Sequence, residues 1–169
     1  MLKHPDQRVV VLMDVSNLYH SAKNLYKARV NFREVLKTAI SGRKFIRAVA
    51  YVIRTEEGEA GMFFEALQRI GIEIKMKDLQ IFAGGAKKGD WDVGMTVDAI
   101  KFSDVTDALV IVSGDGDFTY LLEYLKATKG CRLEVIAFGR TASARLKEAA
   151  DEFVDLDESP EKFLLRNKQ

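Results

Sequence analysis

Three short stretches concentrate carboxylates at the points where chain direction changes. Asp14 closes the apolar run Val9 to Met13 and is followed by Val15-Ser16-Asn17, the start of a helical pattern. Asp115 and Asp117 flank a glycine in Val112-Ser113-Gly114-Asp115-Gly116-Asp117-Phe118. In Lys87-Lys88-Gly89-Asp90-Trp91-Asp92 a basic stretch opens a helix that carries Asp98 farther on, and the positive end of a helix favours anions. Carboxylates converging in a low-dielectric crevice repel one another, so either some are protonated or a cation compensates. A hard divalent ion such as Mg²⁺ is the economical solution, because carboxylate and water oxygens are its preferred ligands. On this reading Asp14, Asp115 and Asp117 converge, Asp92 adds a fourth acid, and Asn17 adds a neutral oxygen or orients a substrate phosphate.

Plainer roles compete for the same residues. Asp117 stands where a helix N-cap belongs, Asp92 where a cap or first-turn acid belongs, and Asp98 fits a solvated helix face. Lys87 and Lys88 fit a solvated loop. Ser16 and Ser113 have no histidine beside them, and His4 and His20 are peripheral, so a Ser-His-Asp triad is not expected. Asp115-Gly116-Asp117 lacks the later ligands of a calcium loop. Gly84-Gly85 lacks the strand-to-helix context of a nucleotide fingerprint. Cys131 is the single cysteine and reads as an inert, part-buried thiol.

The elements that must position these acids follow from the apolar pattern. Arg8 to Met13, Phe45 to Ile53, Ile72 to Met76, Ala108 to Val112 and Leu133 to Phe138 are strand-like runs. Between them lie helical periods: a stretch opened by the capping box Asn31-Phe32-Arg33-Glu34 and stopped by Gly42, Glu57 to Ile70 closed by Gly71, Asp92 to Phe102, Phe118 to Ala127, and Ala142 to Ala149. Strands alternating with helices imply right-handed parallel crossovers. Near-continuous runs such as Val9-Val10-Val11-Leu12-Met13 imply burial on both faces. The expected fold is α/β, a doubly wound, mainly parallel open sheet of about five or six strands, with ligands bound at the C-terminal edge where the winding reverses. A strand order 3-2-1-4-5 puts that point between the first and fourth strands. Phe82 to Asp90 reads as a mobile basic loop, and residues 159–169 as a charged tail, frayed or weakly helical, after a domain spanning 1–158.

The bulk numbers permit this and exclude little else. A chain of 169 residues suits one domain that buries roughly 70% of its unfolded surface. Lys and Arg number 26 against 25 Asp and Glu, a net charge of +1, so attraction for phosphate must come from local patches. The N-terminus lacks a signal-peptide pattern and no apolar run reaches transmembrane length, so a cytoplasmic location without membrane contact is expected.

Together, Asp14-Val15-Ser16-Asn17, Lys88-Gly89-Asp90-Trp91-Asp92 with Asp98 downstream, and Ser113-Gly114-Asp115-Gly116-Asp117-Phe118 resemble the NYN domain family, the LabA-like branch of the PIN-like nuclease superfamily. The resemblance covers roughly Arg8 to Asp155 and implies a PIN-like, Rossmannoid sheet bearing a ribonuclease site dependent on Mg²⁺ or Mn²⁺. Asp14, Asp92, Asp115 and Asp117 match its catalytic acids. Asn17 matches the asparagine after the first strand, and Asp98 the acid later in the helix, so that Asp14, Asp92, Asp98, Asp115 and Asp117 are the implied metal set. The family has an aliphatic residue between the Lys-Gly and its aspartate, whereas Asp90 and Trp91 stand there in this chain, which leaves Asp90 and Asp92 as rivals for one position. Asn17, Ser113, Lys87 and Lys88 are the expected substrate contacts, with Lys75 and Lys77 tracking the RNA backbone and Trp91 or Tyr19 stacking a base. Single-stranded RNA is the expected partner, and a homodimer is compatible. The alternative is an RNA-binding or regulatory module that retains the acids without efficient turnover. A haloacid dehalogenase-type phosphatase would need an acid at Ser16, and a response-regulator receiver would need an acidic pair that the chain lacks.

Overall fold

The computed structural model describes residues 3–54 and 60–166. In chain order the elements are β1 (Arg8–Asp14), α1 (Val15–Tyr26), β2 (Arg29–Val30), α2 (Phe32–Ile40), β3 (Lys44–Arg54), α3 (Ala60–Arg69), β4 (Ile72–Asp78), β5 (Gln80–Ile81), β6 (Lys87–Lys88), α4 (Asp92–Ser103), β7 (Ala108–Val112), α5 (Thr119–Thr128), β8 (Arg132–Ala137), α6 (Ala144–Ala149), β9 (Glu152–Asp155), α7 (Pro160–Phe163) and β10 (Leu164–Leu165). Short 3₁₀ turns occupy Gly116–Phe118 and Leu156–Glu158.

Six strands form one sheet in the order β4-β3-β1-β7-β8-β9, with every neighbouring pair parallel. The expected order of the five apolar runs holds, and β9 adds a sixth strand whose four half-buried residues carry too little pattern to stand out. Successive β1 side chains explain why the sequence shows no alternation. Val9, Val11 and Met13 join the core beneath α1 and α2, while Val10 and Leu12 join the core beneath α4 and α5. All five are fully buried, each contributing about 1.5–3 kcal/mol relative to exposure.

Several local details differ from expectation. Asn31 does cap α2, accepting from the Glu34 N–H at 3.4 Å. The reciprocal half of the capping box is replaced, because the Asn31 N–H donates to the Phe163 carbonyl at 2.8 Å. The helix is stopped by Ser41 in the left-handed region (φ 49°), with Gly42 following at φ 71°. The helix expected over Glu57 to Ile70 is observed as α3; its first three positions lie outside the described residues. Within the basic loop expected over Phe82 to Asp90, Lys87–Lys88 form the strand β6. Gly84 and Gly85, both at positive φ, turn β5 antiparallel onto β6, pairing Gln80 with Lys88 and Ile81 with Lys87. Of the two expectations for the segment after Glu158, the helical one is met by α7, and the segment is docked, with Phe163 and Leu164 buried and β10 paired with β2. Residues 167–169 of that segment lie outside the described residues. Among the described residues no helix is long and apolar enough to cross a membrane.

Candidate metal centre

The parallel register carries β1 and β7 to the same edge together. Met13 pairs with Val112, so Asp14 and Ser113 emerge side by side. Asp14 caps α1: its Oδ1 accepts the Asn17 N–H at 3.2 Å, and its Oδ2 accepts the Ser113 hydroxyl at 3.0 Å. Burial raises its carboxyl above the ordinary range, the two hydrogen bonds oppose this, and the charges of Asp115 and Asp90 add to the rise.

Ser113 is fully buried, which removes it from the substrate contacts in this conformation. Its hydroxyl donates to Asp14 and accepts the Asp115 N–H at 3.2 Å, so it locks one acid to the next. Asn17 acts in a similar way, its Oδ1 accepting the Gly114 N–H at 2.9 Å and so tying α1 to the exit of β7. Gly114 itself is required by a close approach, since a Cβ there would sit 3.0 Å from the Ala142 Cα.

The 3₁₀ turn then presents the remaining acids. Asp115, rather than Asp117, is the cap: its Oδ1 accepts the Asp117 N–H at 2.9 Å. Asp117 is exposed. From the other side α4 begins at Asp92, whose N–H donates to Asp90 Oδ1 at 3.3 Å. One oxygen from each of Asp92, Asp115 and Asp117 lies within 4.8 Å of the others. Of the two rivals, Asp92 joins the cluster, while Asp90 accepts the Asp92 N–H and adds charge. Burial first, and then the charges of Asp115, Asp90, Asp14 and Asp117, push the Asp92 carboxyl up to about 6. Among the described residues no cation pairs with Asp14, Asp92, Asp115 or Asp117. Hard oxygens, mutual repulsion and missing internal cations are the donor chemistry that fits a divalent ion.

Other expected site residues lie elsewhere. Asp98 is neither solvated nor part of the cluster: 8% exposed, its Oδ2 accepts from the Tyr51 hydroxyl at 2.7 Å and from Lys75 Nζ at 2.6 Å. Lys75 is thereby engaged in a part-buried ion pair. Trp91 packs inward, donating its indole N–H to the Val52 carbonyl at 2.9 Å and meeting Tyr51 edge to face. Gly94 makes room for it, because a Cβ there would meet the Trp91 ring at 2.7 Å. Lys77 Nζ bonds the Asp90 carbonyl at 3.0 Å and lies over the Trp91 ring. Lys87 and Lys88 are exposed on β6, and Tyr19 is exposed on α1. Burial pushes the Cys131 thiol up, consistent with an inert cysteine. Tyr51 was not singled out by the sequence, because its pairing with Asp14 exists only in the register of the folded sheet.

The family model for the NYN domain matches residues 8–157. The chain is 26% identical over 102 residues to the low amplitude and bright protein LabA of Synechococcus elongatus, covering 57% of this chain and 54% of that one. It thus spans about half the length of that curated relative. A crystal structure of a protein of unknown function from Vibrio parahaemolyticus superposes with a TM-score of 0.86 at 31% identity, covering 98% of this chain and 100% of the other.

Proposed function

This chain belongs to the NYN domain family, and from that membership we propose that it is a divalent-metal-dependent ribonuclease acting on single-stranded RNA. The observation that carries the reading is the group Asp92, Asp115 and Asp117, three carboxylate oxygens within reach of one ion and, among the described residues, without an internal cation. These three would hold Mg²⁺ or Mn²⁺, with Asp14 adding negative charge from the strand end. Such an ion supplies a lowered pKa for an attacking water and positive charge against the oxyanions that develop on a phosphodiester.

The chain's own residues supply rigidity and binding. Ser113 and Asn17 hold the exits of β1 and β7 in one arrangement, which is the preorganisation that electrostatic catalysis requires. Lys87 and Lys88, exposed on the β5–β6 hairpin, are the cations nearest in sequence to Asp92 and suit phosphates of the bound strand. A panel of short RNAs incubated with Mn²⁺, Mg²⁺ or EDTA tests the reading: cleavage in metal, none in EDTA and none for Asp115→Asn supports it. Equal cleavage with and without chelator rejects it.

A second reading, an RNA-binding or regulatory module, is favoured by Asp14, both of whose oxygens already accept protein hydrogen bonds. Strand binding without metal-dependent turnover in the same panel would select it.

A further inference from the structure

A groove of about 550 Å³ lies at the opposite end of α1 from Asp14, lined by Tyr19, Lys23, Asn24 and Lys27 of the helix end, Arg29 of β2 and Leu165 of β10. We propose that this groove holds a segment of the RNA strand several nucleotides from the bond that is cut, with phosphates against Lys23, Lys27 and Arg29 and a base against Tyr19. The proposal rests on the ribonuclease reading of the acidic site and extends it to substrate length.

Charge and shape point to this occupant. Among the described residues no acid lines the groove, and Lys23, Lys27 and Arg29 make no ion pair, although a dozen other cations of the chain do. Tyr19 is 48% exposed with the Lys23 ammonium 5.7 Å from its ring centroid. An aromatic face bordered by cations is the usual means of holding a single strand, one base stacked and its phosphates neutralised. The volume falls in the range of sites for small ligands and suits a nucleotide.

Attraction between lysines and a helix C-terminus explains Lys23 in part, but not Arg29, which lies beyond the helix, nor Tyr19, two turns earlier. Lys27 stands at φ 50°, a left-handed conformation that glycine or asparagine adopts at lower cost. A lysine there departs from backbone preference, and such departures cluster at binding sites. Arg29 is held in place by Leu165, its antiparallel partner, so the docked C-terminal segment completes the groove wall.

The groove also has a direction. Ser16, Tyr19, Lys23 and Lys27 follow one another at helical spacings of three and four residues, so they form one stripe along α1. At 1.5 Å per residue the stripe spans roughly 16 Å from the acidic edge, a distance that an extended strand of a few nucleotides covers.

The test is fluorescence anisotropy of labelled single-stranded RNAs in EDTA across a salt series, comparing trinucleotides with strands longer than about eight nucleotides. Combined Lys23→Glu, Lys27→Glu and Arg29→Glu is expected to weaken long-strand binding by about tenfold or more and lower its salt slope by about 2, at about 0.7 per phosphate contact. Trinucleotide binding keeps its slope. Tyr19→Ala weakens long strands by about tenfold, the worth of one stacked base. Lys27→Gly separates folding from binding, since it relieves the left-handed backbone: melting temperature holds or rises while the slope falls by about 0.7. Unchanged long-strand affinity and slope in the folded variants, or no binding of any strand by the wild type, overturns the groove. Metal-dependent cleavage by the wild type is read separately. Its absence, with strand binding still weakened by the groove variants, overturns the nuclease reading alone.

Discussion

At the edge where β1, β7, β8 and β9 begin, carboxylates face cations supplied by the chain. Arg8 grips Asp107 through Nε and Nη2, each at 3.0 Å, and holds its carboxyl down at about 2. Arg43 meets Glu134 at 2.7 and 2.8 Å in a buried pair, and Arg132 spans Glu134 and Glu152 at 2.9 and 2.6 Å. At the edge where β1 and β7 end, Asp14, Asp92, Asp115 and Asp117 have no such partners among the described residues, and Asp92 rises to about 6. One residue type thus sits at both extremes of its range in one sheet. An edge that neutralises itself holds the fold; an edge that leaves its charge open does so at a cost to stability, and on the proposed reading that cost is relieved by a bound cation.

The largest expected effect breaks the open edge chemically. Asp115→Asn should lower metal-dependent RNA cleavage on the order of a thousandfold, ~4 kcal/mol of transition-state stabilisation, while the retained Oδ1 still accepts the Asp117 N–H and keeps the fold. A variant that cleaves like wild type but melts well below it would make Asp115 a structural cap only.

At the neutralised edge Arg43→Ala should instead cost about 3 kcal/mol of folding stability in denaturant titrations, because Glu134 loses one of its two cations inside the core. A loss below about 0.5 kcal/mol would show that Arg132 alone satisfies Glu134.

Adding Mn²⁺ should stabilise the wild type by about 2.7 kcal/mol at a hundred times its dissociation constant, raising the melting temperature. The same addition should do little for Asp115→Asn. An equal shift in both would place the ion elsewhere.

Acid titration should give the two edges opposite signs. Asp92 has a folded pKa above its unfolded value, so in metal-free buffer its contribution is fully present below about pH 4 and is lost as pH rises through about 6. Asp107, with its pKa depressed, contributes above about pH 4 and loses that contribution as pH falls through about 2. Asp92→Asn should therefore flatten the stability change between pH 4 and 6, worth about 1 kcal/mol after solvent screening. Melts of wild type and variant in EDTA that remain parallel across this window would refute the electrostatic coupling.

The smallest effect concerns Lys87 and Lys88. Reversing both charges should reduce the salt slope of RNA binding by about 1.4, two contacts at about 0.7 each, and leave the melting temperature unchanged because both are exposed. An unaltered slope would leave them as a solvated hairpin.

Particular elements show why some of this was legible in the chain and some was not. The runs Val9 to Met13 and Ala108 to Val112 carry their two-sided burial in composition alone, and a helix signal follows each, so the parallel sheet and the edge bearing Asp14 and Asp115 could be read directly. Asp98 gave no comparable sign. Its partners Tyr51 and Lys75 stand 47 and 23 residues away, and a lone acid at a helical spacing looks alike whether solvated, paired or liganding. The antiparallel contact of β2 with β10 joins two-residue segments from distant parts of the chain, too short for any periodicity.

The sequence by itself determined the doubly wound parallel architecture and the edge at which its acids gather, because two-sided burial and alternating periods are local properties of the residues. Only the tertiary structure decided the fate of each acid: Asp92 with Asp115 and Asp117 in one cluster, Asp90 bracing a helix start, Asp98 given to Tyr51 and Lys75. That choice depends on which oxygen meets which donor after the crossovers close, and a carboxylate takes its chemistry from those neighbours.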